Sequence, residues 1–110
     1  MNSIRNFVQL IGHVGEEPVI HDFENGKKVA RLILATNELY RKKGETHTQT
    51  EWHRLVAWGK QAEILEGFVY KGTEIVVRGK LSTRSYVNTK SQTKYVTEIL
   101  VQEVLLLGKA

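Results

Sequence analysis

A chain of 110 residues, 41% hydrophobic and 25% charged, has the size and composition of one small globular domain. It has no cysteine, which excludes disulfides and thiolate metal sites, and no run near the roughly 18 apolar residues of a membrane helix. Sixteen Lys and Arg against 12 Asp and Glu leave a net charge of +4, an excess that favours anionic partners.

Met1 to Arg5 leads into a short alternating segment without the apolar core of a signal peptide, so a cytoplasmic location is the default expectation. Phe7 to Val14 reads as a first strand, with Val8, Leu10 and Val14 on one face and Gln9 and His13 on the other. Gly15 to Pro18 breaks it, and Val19 to Phe23 is extended. Asn25-Gly26 then predicts a tight hairpin turn. The chain returns as a second long strand, Val29 to Asn37, which points Ala30, Leu32 and Leu34 one way and Arg31 and Ile33 the other. Glu38 to Gln49 is polar, contains Arg41-Lys42-Lys43-Gly44, and reads as a long loop. Glu51 to Trp58 is a third strand. Gln61 to Tyr70 spaces Ile64, Leu65, Phe68 and Val69 as a helix would, stopped by Lys71-Gly72. Thr73 to Leu81 forms a fourth strand with Ile75, Val77 and Leu81 inward and Val76, Arg78 and Lys80 outward. After a polar loop from Ser82 to Gln92, a fifth runs from Thr93 to Leu106.

This order predicts an all-β domain over residues 1–110: the partly open five-stranded barrel of the oligonucleotide/oligosaccharide-binding (OB) fold, with one helix between the third and fourth strands. A small all-β sandwich is the alternative, and the helix counts against it.

"TEWHRLVAWGK", Thr50 to Lys60, holds both tryptophans. On a strand, Trp52, Arg54 and Trp58 share one face while His53, Leu55 and Ala57 share the other. Tryptophan is commonly a core residue, but a guanidinium set between two indoles in a dry core is costly to desolvate. Leu55 and Ala57 are the better core candidates. An outward face of this kind, joined by Arg31 and Ile33 and by Arg78 or Lys80 if their strands lie alongside, offers what single-stranded nucleic acid requires: flat rings for unpaired bases and cations for phosphates. Tyr40, beside Arg41, Lys42 and Lys43, and Tyr86, beside Arg84 and near Lys90 and Lys94, either extend this platform or pin their loops to the barrel.

"VQLIGHVGEEP", "NGKKVARLILATNELY", "TEWHRLVAWGKQAE" and "YKGTEIVVRGKLSTRSY", in that order over nearly the whole chain, resemble the DNA-binding domain of the bacterial single-stranded DNA-binding proteins. The resemblance implies base stacking at Tyr40, Trp52, Trp58 and Tyr86, and backbone contacts from Arg54, Lys60, Lys71 and Arg84. Family members often carry Trp in place of Tyr40 and Tyr86, Phe in place of Trp58, and basic residues in place of Ser82 and Ser85. It further implies a homotetramer, with His53 at a subunit contact; Met1 to Phe7 and the first strand are the other expected contact. Members continue into a flexible linker and an acidic tip that recruits replication and repair proteins. This sequence stops at "EVLLLGKA", as a short member or a trimmed chain, so the resemblance does not carry tail-mediated partners over to it.

The expected function is non-catalytic, sequence-tolerant binding and protection of single-stranded DNA in replication, repair and recombination, at the bacterial nucleoid. A primosomal restart protein of the same fold and an oligomeric scaffold without nucleic acid are the alternatives. No cofactor is expected: His13, His21, His47 and His53 lack metal-ligand spacing, there is no Gly-rich phosphate loop or nucleophile elbow, and Glu16-Glu17 and Glu63/Glu66 fit exposed positions.

Overall fold

The computed structural model describes residues 4–107. Its elements are β1 (Val8–Val14), β2 (Val19–Asp22), β3 (Lys28–Lys42), β4 (Glu45–Trp58), α1 (Lys60–Phe68), β5 (Glu74–Val87) and β6 (Thr93–Leu106). The strand order is β1-β5-β6-β4-β3-β2, and a further pairing of β1 with β3 closes five strands into a barrel, with β2 added beside β3. The pairings are antiparallel except β4 with β6, which run parallel at Leu55↔Ile99 and Val56↔Leu100. The all-β architecture and its helix, placed after the tryptophan-bearing strand, agree with the sequence reading.

The two-residue period of each strand builds the interior. Ala30, Leu32 and Leu34 of β3, Leu55 and Ala57 of β4, Ile75 and Val77 of β5, and Ile99 and Val101 of β6 form one buried cluster. Ala62, Leu65 and Val69, from α1 and the residue that ends it, join that cluster. Each buried Leu or Ile contributes about 1.5–3 kcal/mol of transfer free energy. The Lys28 ammonium ties the start of β3 to Glu66 on α1, with Asp22 3.7 Å away. The hydrogen bond to Glu66 raises this lysine above its usual 10.5, against opposing desolvation.

Barrel closure depends on two glycines. β1 leaves β5 for β3 around His13 and Val14, and a Cβ at Gly12 would stand 2.2 Å from the Ala35 carbonyl oxygen. On β5 the register slips between Arg78↔Glu103 and Gly79↔Val101, and a Cβ at Gly79 would stand 2.0 Å from the Leu100 carbonyl oxygen. Backbone cannot yield as a flexible side chain does, so both positions require glycine.

Four expectations are corrected. The segment 38–49 is not a loop: β3 and β4 stay paired from Val29↔Trp58 to Lys42↔Glu45, joined by a two-residue turn in which Lys43 and Gly44 have φ of 53° and 79°. Two positive φ values make the turn whose twist suits a hairpin. Likewise residues 82–87 continue β5, and the loop shrinks to a turn where Asn88 Oδ1 accepts from the N–H groups of Lys90 and Gln92, both at 2.9 Å. Leu81, expected inward, is 51% exposed: β1 pairs with β5 only as far as Val8↔Gly79, although its partner on β6, Ile99, is still in the core. Phe68, expected on the packed side of the helix, is exposed, and Ala62 takes that place with Leu65.

Gly79→Ala is expected to lower unfolding free energy by about 2–3 kcal/mol in urea titrations, as overpacking against backbone does. Gly67→Ala, in α1 with open space at its Cβ position, is expected to raise it by about 0.5–1 kcal/mol.

Candidate nucleic-acid interface

β4 carries the centre of the site. Burial of Leu55 and Ala57 fixes its inward face, and alternation turns Trp52, Arg54 and Trp58 outward; the indoles are 64% and 44% exposed. Trp52 lies opposite Ala35 in register, and its ring occupies the space beside Gly15, where a Cβ would come within 2.8 Å of it. Val56, on the same outward side, is nonetheless buried, flanked by Arg31 on β3 and Leu100 on β6.

Arg31 and Ile33 sit beside this face as expected, since β3 pairs with β4. β5 does not, because β6 intervenes. Lys80 therefore lies across Leu100 from Val56, and Arg78 is engaged elsewhere, with Gln9 Oε1 at 2.9 Å and Glu103 Oε1 at 3.3 Å. Farther along β5, Arg84 and Tyr86 border an open depression of about 360 Å³ together with Arg31, Ile33, Arg54 and Glu98. A second depression shares Ile33, Arg54 and Glu98 and reaches Trp52 and Leu81. Together they mark a path from Tyr86 to Trp52 with Arg54 between.

An acid stands at the floor of this basic face. The Glu98 side chain is only 9% exposed, and its Oε1 accepts from Arg84 Nε at 2.9 Å while its Oε2 accepts from Arg31 Nη1 at 3.2 Å. Arg31 reaches over β4 to make this bond, so one carboxylate on β6 links β3 to β5. Arg54 makes no hydrogen bond or ion pair among the described residues.

The remaining expected residues are spread wider. Tyr40 is on a strand rather than a loop, stacked on its register partner His47 with centroids 5.3 Å apart at 24°. Its parity is that of Leu32 and Leu34, so it continues the barrel's inner face along the hairpin, and the backbone does not place it on the face of Trp52. Lys42 ends β3 next to it and Lys43 occupies the turn. Lys60 opens α1, directly after Trp58 and Gly59. Lys71 is exposed in the turn before β5, its N–H bonded to Glu17 Oε1 at 3.2 Å. His53 is partly buried, with Nε2 2.9 Å from Thr36 Oγ1. Phe7 is 41% exposed before β1; of the segment Met1 to Phe7, residues 1–3 lie outside the described residues. Among the described residues no group of three or more His, Asp or Glu is placed to hold a metal ion, and no helix is long and apolar enough to cross a membrane.

Sequence reasoning missed two features. Glu98 lies on an outward position of β6, and its signal was a lone acid in an apolar run, Glu98-Ile99-Leu100, with arginines on two other strands. Phe23 packs parallel to Trp58, centroids 5.8 Å apart at 17°, and His21 meets Phe23 edge-on at 4.4 Å. The Asn25-Gly26 turn was the signal, since a hairpin there returns Phe23 beside the strand that pairs with Trp58.

Glu98→Gln should cost about 1–3 kcal/mol of stability by urea denaturation. It leaves two half-exposed guanidiniums without their shared counter-ion. Glu103→Gln, which breaks the exposed pair with Arg78, should cost under about 0.5 kcal/mol.

Comparison with known proteins agrees with this geometry. The profile of the Single-strand binding protein family matches residues 5–107. Single-stranded DNA-binding protein 1 of Chlorobaculum tepidum is 40% identical over 105 residues, which cover 94% of this chain and 65% of that protein. The chain thus spans under two thirds of the length of that relative. A solved Plasmodium falciparum SSB in complex with single-stranded DNA superimposes with a TM-score of 0.85 at 35% identity, covering 98% of each chain. With matching residues over nearly its whole length, the chain belongs to the Single-strand binding protein family.

Proposed function

We propose that this protein binds and protects single-stranded DNA without sequence preference, in replication, repair and recombination, as one OB-type binding domain over residues 1–110. The observation that carries the reading is the outward face of β4, where two exposed indoles flank a guanidinium that has no partner among the described residues. Bases stack on Trp52 and Trp58, then on Tyr86 at the far end of the path and on Tyr40 along the hairpin. Phosphates are met by Arg54, Lys60, Lys71, Lys80, Lys42 and Lys43, and by the outer edges of Arg31 and Arg84. Stacking suits such a task because every base presents a π-face, whereas a duplex hides it. The relative's name and the DNA-bound structure support the same assignment. The action is binding rather than catalysis, in the cytoplasm at the nucleoid.

Self-association into a homotetramer belongs to the same proposal, with His53 and Phe7 at subunit contacts. A row of outward apolar residues across the sheet, Ile11↔Val76↔Leu105, supports it, since Ile11 and Leu105 are more than half exposed.

Fluorescence anisotropy with a labelled oligothymidylate tests the function. Affinity should exceed that for duplex of equal length by orders of magnitude and fall with salt, as released counterions require. Trp52→Ala should weaken binding by about tenfold or more, the loss of one stacked base. Arg54→Ala should also reduce the slope of log K against log salt by about 0.7. Equal affinity for duplex, or binding insensitive to salt, contradicts the reading.

A further inference from the structure

Trp58, the last residue of β4, does not stand alone on the outward face. The β2–β3 hairpin folds back so that His21, Val29 and Trp58 fall in one row across β2, β3 and β4, with Phe23 just beyond it. The Phe23 ring lies nearly parallel to the Trp58 indole, 5.8 Å between centroids and 17° between planes, and both rings are more than two-fifths exposed. A phenylalanine kept in solvent gains only part of the burial that usually stabilises it, yet this one is held firmly. Its N–H donates to the Lys27 carbonyl at 2.8 Å and its carbonyl accepts from Gly26 N–H at 3.0 Å. Asn25 Oδ1 accepts from Lys27 N–H at 3.1 Å, and Gly26 takes a φ of 85° that suits glycine in this turn. His21 meets the ring edge-on at 4.4 Å and fixes its tilt. Beside the pair is an open depression bordered by Trp58, Gly59, Lys27 and Lys28. The Lys28 ammonium is committed to Glu66 and Asp22, whereas that of Lys27 makes no bond among the described residues.

We propose that Phe23 is a further base-stacking residue: with Trp58 it forms a two-ring step that carries a single strand past the end of β4 onto the β2–β3 hairpin, where Lys27 meets a phosphate. This rests on the single-stranded DNA reading above. Two parallel rings held at a fixed offset give consecutive bases two surfaces of similar slope, and an aromatic face accepts any base. The strand thus leaves the barrel over the hairpin turn instead of lifting off at Trp58.

The test is photocrosslinking of the unmodified protein to an oligothymidylate carrying 5-iodouracil, with adducts mapped by mass spectrometry, beside anisotropy titrations of Phe23→Leu and Phe23→Tyr. Adducts on Phe23 as well as on Trp58 are expected, with affinity about fivefold to tenfold lower in Phe23→Leu and close to the parent in Phe23→Tyr. Adducts on Trp52 and Trp58 with none on Phe23, and Phe23→Leu within twofold of the parent, overturn the Phe23 role while leaving the DNA-binding function in place. Failure of the unmodified protein to bind the oligonucleotide overturns both. A purely supporting role, in which Leu weakens binding but no base reaches Phe23, also contradicts the proposal, because the adduct map is read on the unmodified protein.

Discussion

Everything on the binding face depends on the register of β4. β3 pairs with it along its whole length and β6 pairs with it at Leu55 and Val56, so it cannot slip by a residue without breaking ladders on both sides. Because side chains alternate, a one-residue slip would send Trp52, Arg54 and Trp58 into the barrel and Leu55 and Ala57 into solvent. The fully buried pair Leu55 and Ala57 resists that exchange by hydrophobic burial, and the cost of desolvating Arg54 resists it again. The exposed indoles are thus held outward by what lies on the opposite side of the same strand.

Charge on this face is arranged rather than merely accumulated. Glu98 offsets part of the positive charge contributed by Arg31 and Arg84, but it also fixes two long, flexible side chains across three strands. An arginine already oriented loses less side-chain entropy when it meets a phosphate, which partly compensates for the attraction given up to the carboxylate. Arg54 has no such anchor among the described residues, so no carboxylate there offsets its charge. The face therefore combines anchored cations at one side of the path with an unanchored one at its middle.

Barrel strands and the sidedness of the "TEWHRLVAWGK" stretch were legible in the sequence because burial imposes a strict alternation there. The hairpin extensions were not. From Glu38 to Gln49 both sides of the ribbon face solvent, so hydrophobic alternation vanishes although pairing continues; the threonines at 46, 48 and 50 and the Lys43-Gly44 turn carried the remaining signal. For that reason the sequence around Tyr40 reads as a loop, and the stack of Tyr40 on His47 is visible only in the strand register. Phe23 and Glu98 escaped for a different cause: each acts through a partner distant in sequence, and one-dimensional periodicity holds no information about which strands become neighbours. Leu81 shows the converse failure, since its alternation is correct but β1 no longer pairs with β5 beside it.

The central claim is that the outward face of β4 is a surface on which unpaired bases stack. Both tryptophans of the chain lie on that face, so intrinsic emission observes it directly. Titration with an oligothymidylate, with binding followed in parallel by anisotropy, should quench tryptophan emission strongly in step with binding, while a duplex of the same length leaves it unchanged. Binding of the single strand with emission unaltered would place the DNA elsewhere on the molecule and contradict the account.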